Sequence, residues 1–138
     1  MKTSIHVYER IYRELESRGD NRSGTINRDL ERLYTMYARA IKEVPLSLPE
    51  AQAIVDCCNG TIYDARSAPL LWASIEDANN LDGLDDKWGI DGPALVEKLK
   101  GLSQLQALAL IDAAERFWNL PDIGKDLDSD VRKFFNVI

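Results

Sequence analysis

The sequence predicts a mainly α-helical protein opened by a single β-strand. Three features lead there: strict alternation over Lys2–Tyr8, apolar residues three and four apart through most of the remaining chain, and two Ser-x-x-Glu/Gln boxes that start helices. A length of 138 residues suits one domain or two small ones, and 45% hydrophobic with 29% charged residues is the balance of a globular chain. A chain this long buries roughly two-thirds of its unfolded surface, enough for a core without staples. No apolar run approaches the roughly 20 residues of a membrane span, so no membrane partner is expected. Met1–Ser4 leads straight into alternating residues with no secretory h-region, so the expected location is cytoplasmic.

Lys2–Tyr8 places β-branched Thr3, Ile5 and Val7 on one face, the pattern of a half-buried strand. A lone strand leaves its N–H and C=O groups without partners, and the simplest mate is a second copy of the chain. Glu9–Arg18 has helix-forming composition with Ile11 and Leu15 on one stripe, Gly19 suits a helix C′ position, and Asn21 suits an N-cap. The next helix carries Ile26, Leu30, Leu33, Tyr34, Tyr37 and Ile41 and ends before Pro45.

Beyond Pro45 about five helices are expected. Ser47–Glu50 is a capping box opening a helix to about Cys58, and Asn59-Gly60-Thr61 stops it. A helix from about Pro69 to Asn79 carries Leu71, Trp72 and Ile75. A polar loop then runs through Asp91 with Leu84 and Trp88 tucked inward. Gly92-Pro93 opens a helix through Lys100, and Ser103–Gln106 is a second capping box that starts the most apolar helix, Gln104–Trp118. Asp128–Phe135 is the last. The domains expected are 1–45 and 46–138.

Charge is divided along the same line. Residues 1–45 hold nine Lys/Arg against seven Asp/Glu, while 46–138 hold eight against sixteen. Such asymmetry hints at a basic partner-binding end joined to an acidic body. The adjacent Cys57 and Cys58 match no zinc spacing and are expected to pack as small hydrophobes. His6 is the only histidine, which leaves little for His-based metal or triad chemistry. The acidic stretch Asp77–Asp86 misses the calcium-loop spacing by one residue, with Trp88 at its twelfth position, and reads as solvated. No GxGxxG, P-loop, HExxH or GxSxG occurs, so no enzyme activity, cofactor or metal is expected.

Strand, helix, glycine turn and longer helix within 45 residues resemble the ribbon-helix-helix family, the Arc and MetJ type of DNA-binding protein. The turn matches most specifically: Gly19, Asn21 and Ser23 within Arg18–Ser23, followed by apolar Ile26 and Leu30. The resemblance covers about one-third of the chain. It implies an intertwined dimer, or a dimer of dimers, whose paired strands enter the major groove of double-stranded DNA. Thr3, Ile5 and Val7 would then face the core, and Lys2, Ser4 and His6 the bases. Asn21, Arg22 and Ser23 at a helix N-terminus, with Arg28, would hold phosphate.

The function expected is a bacterial- or phage-type homodimeric transcriptional repressor. Its acidic helical domain would handle protein contacts, with Trp118, Phe134 and Phe135 as a possible interface if not simply core. The alternative is a protein-binding module, antitoxin-like or a phage-encoded inhibitor, in which the N-terminal segment only dimerises and the acidic body caps a basic partner.

Overall fold

A computed structural model describes residues 9–17, 22–58, 68–121 and 127–138. Eight helices lie among them: α1 (Glu9–Ser17), α2 (Arg22–Lys42), α3 (Leu48–Cys57), α4 (Ala68–Asp82), α5 (Leu84–Trp88), α6 (Gly92–Lys100), α7 (Gln104–Trp118) and α8 (Leu127–Phe134). The chain separates into two units, Met1–Thr35 and Met36–Ile138. The division falls inside α2, so the last two turns of that helix belong with the body.

Local chemistry starts the body's helices. Glu50 N–H donates to Ser47 Oγ at 3.2 Å while Ser47 N–H donates to Glu50 Oε1 at 2.8 Å. Ser103 and Gln106 repeat the reciprocal pair at 3.1 and 2.9 Å. Each box satisfies two N–H groups that the start of a helix leaves unpaired. Asp91 caps α6, its Oδ1 accepting from Ala94 N–H at 3.0 Å.

The apolar spacing then decides what each helix buries. Helix α7 is the centre of the body, burying Ala107, Ala109, Leu110, Ile111, Ala113, Ala114 and Phe117. Its four buried alanines leave room for close neighbours, and α3, α4 and α8 all pack on it. Helix α3 contributes Ala51, Ala53, Ile54 and Val55, and α6 contributes Leu95, Val96 and Leu99. Each fully buried Leu, Ile or Phe stabilises the fold by about 1.5–3 kcal/mol over leaving it in water. The carboxyl end of α2 buries Ala40, and the turn after it buries Val44, both 2% exposed.

Two expectations are corrected. The fold class is mainly α, but a ribbon-helix-helix opening is not shown, because no strand occurs among the described residues. The extended pairing they contain is one isolated parallel bridge, Leu46 to Val137. Elsewhere the regular structure is helical, and helices satisfy their backbone groups within one segment, so no second chain is required to pair them. The predicted strand Lys2–Tyr8 and the Gly19 turn lie outside the described residues.

The second correction concerns the polar loop between α4 and α6. Helix α4 continues to Asp82, and Leu84–Trp88 forms the short helix α5. Asn79 explains the turn between them, since its Oδ1 accepts from Leu84 N–H at 3.2 Å. Gly83 at φ 72° and Gly89 at φ 67° bracket α5 in the left-handed region that glycine adopts without a Cβ clash. Leu84 is buried and Trp88 half-buried, which places both inward as the sequence suggested.

Candidate functional site

The residues predicted to meet DNA fall into two groups. Lys2, Ser4, His6 and Asn21 lie outside the described residues. Arg22 and Ser23 form the first turn of α2, with Arg28 just beyond it. The first N–H groups of any helix have no intrahelical acceptor and sit at the positive end of its dipole. The first turn of α2 contains no Asp or Glu. Arg28 folds back over that turn, its Nε donating to Gly24 C=O at 3.3 Å and its Nη2 lying 3.5 Å from Thr25 Oγ1. A guanidinium is therefore held beside a helix start, an arrangement that attracts an anion.

Further along α2 an apolar stripe meets solvent. Leu30 is 38% exposed and Tyr34 46% exposed, while Met36, also 46% exposed, lies two residues on from Tyr34 and so on another face of the helix. Leu33 and Tyr37, beside Leu30 and Tyr34, are half-buried. In the carboxyl-terminal turns of α2, Ile41 packs against the apolar cluster of the body.

The aromatic residues weighed as a protein surface are placed on the core. Phe135 is 4% exposed, and Trp118 and Phe134 are half-buried against the apolar cluster. Trp118 Nε1 donates to Val55 C=O at 2.8 Å, and its ring meets Phe117 edge-on with centroids 5.4 Å apart. An indole fixed in this way ties α7 to α3.

An open cleft lies at the turns joining α4, α5 and α6. Asn79, Gly83, Asp85, Asp86, Asp91, Gly92 and Pro93 line a cleft of about 440 Å³. Three carboxylates and no cation stand among these residues, which gives the cleft a negative field. Lys87, on the same short helix, is bound to Asp56 at 2.7 Å and is held charged above its ordinary range by that hydrogen bond and the Asp56 charge. Among the described residues no group of three His, Cys, Asp or Glu is placed to hold a metal ion.

Both cysteines are suppressed as nucleophiles. Burial, with a smaller contribution from Asp56, pushes the Cys57 thiol up to about 11 against the opposing charge of Lys87. Burial likewise pushes Cys58 up to about 12, helped by Cys57 and Glu115. A thiol attacks as its thiolate, and near neutral pH almost none is present at such values.

Neither a protein-family model, a curated protein nor a solved structure matches the chain. Among the described residues no helix is long and apolar enough to cross a membrane. Sequence reasoning missed Asn79, whose signal is weak: an Asn-Asn pair near a helix end, ahead of Gly83. It also missed the pairing of Leu46 with Val137, for which a single sequence carries no signal.

Proposed function

We propose that this protein is a dimeric regulator that binds duplex DNA through its N-terminal unit and uses its acidic body for protein contacts. The arrangement at the start of α2 carries the reading: basic Arg22 and Arg28, no carboxylate in the first turn, and the Arg28 side chain folded over it. A backbone phosphate is the anion that suits it, and several such contacts would supply sequence-independent affinity. The charge division supports the same reading, because residues 46–138 hold sixteen Asp/Glu against eight Lys/Arg and would be repelled by a duplex.

The exposed pair Leu30 and Tyr34, one turn apart on α2, supports self-association, and dimerisation would double the phosphate contacts. Titrating a labelled random duplex at rising salt tests the reading. Binding that falls with a log–log slope of about −0.9 per phosphate contacted is the expected result. No binding at about 50 mM salt would remove DNA from consideration.

The acidic cleft favours a second reading, a module that binds a basic protein. Its carboxylates Asp85, Asp86 and Asp91 would meet Lys or Arg side chains of the partner. A chain that ignores DNA but binds a cationic peptide, and loses it when Asp85 and Asp86 become Asn, would support this alternative.

A further inference from the structure

The turn between α2 and α3 is held by residues remote from it in sequence. Leu46 N–H donates to Asn136 C=O at 2.9 Å, and Ile138 N–H donates to Leu46 C=O at 2.9 Å. Asn136 Nδ2 donates to Lys42 C=O at 3.0 Å across 94 residues of sequence. Lys42 closes α2, and its carbonyl is one that a helix end leaves without an intrahelical partner. Two contacts from the body complete the ring: Lys98 Nζ donates to Pro45 C=O at 2.7 Å and Gln106 Nε2 to Glu43 Oε2 at 3.0 Å.

Residues 136–138 thus lie parallel across the turn as a short strap. Its polar attachment is complete but its apolar attachment is slight. Val137 is half-buried, and Ile138 is 80% exposed. The anchor comes just before it, where Phe135 and Val131 are buried at 4% and 0% exposure. A segment held by a few hydrogen bonds and one half-buried side chain belongs to the low end of local stability, while the core beneath belongs to the high end.

We infer that Asn136–Ile138 is a releasable strap that locks the root of α2, and that its opening frees the α2–α3 turn while the core helices stay folded. Opening removes three hydrogen bonds, two of them to Leu46, and leaves Phe135 and Val131 seated. The device is independent of what the N-terminal unit binds.

Amide hydrogen exchange on the full chain tests the strap. Ile138→Pro deletes the N–H that Leu46 accepts and changes an exposed side chain, so the core is untouched. Asn136→Ala deletes the bond to Lys42. In each variant the amides of Glu43, Val44 and Leu46 should exchange about tenfold faster, with α7 unchanged. Unaltered exchange at Glu43, Val44 and Leu46 in both variants would overturn the inference. So would faster exchange spread equally through α7, which would make these residues part of the global core.

Discussion

Asn79 rests its side-chain oxygen against the bare α-carbon of Gly92: a Cβ added at Gly92 would lie 1.9 Å from Asn79 Oδ1. The same oxygen accepts from Leu84 N–H at 3.2 Å. One amide thus closes α4, starts α5 and seats the first residue of α6, and it forms part of the wall of the acidic cleft.

Gly92→Ala should therefore destabilise the protein by about 1–3 kcal/mol, the range for forcing a methyl group into a filled site. Asn79→Ala should cost about 1 kcal/mol through the lost cap. Combined, the two should cost less than their sum, because the shortened side chain makes room for the methyl. Urea unfolding of the four proteins measures this coupling, and simple additivity would show that the contact is not the source of the strain.

The cysteine thiols predict a stability loss at high pH. Their folded pKa values, about 11 and about 12, lie above the ordinary 9.0. The unfolded chain therefore releases these protons first as pH rises. The stabilisation is fully present below about pH 9 and is lost progressively up to the folded values. The urea midpoint should fall between about pH 8.5 and 10.5, and fall less in a Cys57→Ala, Cys58→Ala variant. At about pH 7.5 a thiol reagent should label the native protein slowly and the unfolded protein at once.

Glu115 gives the acid-side counterpart. Burial, then the neighbouring Asp112 charge, raises its pKa. Asp112 is raised too by burial, against the pull of Arg116, whose Nε lies 2.9 Å away. A raised folded pKa means that the stabilising contribution is present below the ordinary carboxylate value and lost as pH rises through the folded one. Glu115→Gln should then raise the melting temperature at about pH 7, with the advantage shrinking toward about pH 4. A constant difference across that range would point to a cause other than ionisation.

On the DNA-binding reading, Arg28→Ala should weaken duplex binding about equally for all sequences and reduce the magnitude of the salt slope by about one. Leu30→Asp should shift the sedimentation profile toward monomer while leaving the helical circular dichroism intact, since Leu30 is already exposed. Retained dimer in that variant would place self-association elsewhere than on the α2 stripe.

Legibility in the sequence depends on distance along the chain. The boxes at Ser47 and Ser103 and the cap at Asp91 each act within three residues, and Ser103–Gln106 marked the start of α7 without knowledge of its neighbours. Helix α5 was unreadable for the opposite reason. Its five residues Leu84–Trp88 are too few to show a helical period, and the Asn79 oxygen that caps it comes from the preceding helix. At the candidate site, the position of Arg22 and Ser23 at a helix start was visible in the glycine turn, whereas the folding of Arg28 back toward Gly24 was not.

The sequence by itself determined where most of the body's helices begin and which faces are apolar, because both arise from interactions between residues three or four apart. It also determined the separation of a mildly basic opening from an acidic body. Only the tertiary structure decided that Trp118 spends its indole N–H on Val55, that Phe135 is buried, that Asn79 fills the space above Gly92, and that Leu46 pairs with Val137. Those outcomes depend on which helices pack together, and close packing is a property of the assembled core that no local spacing encodes.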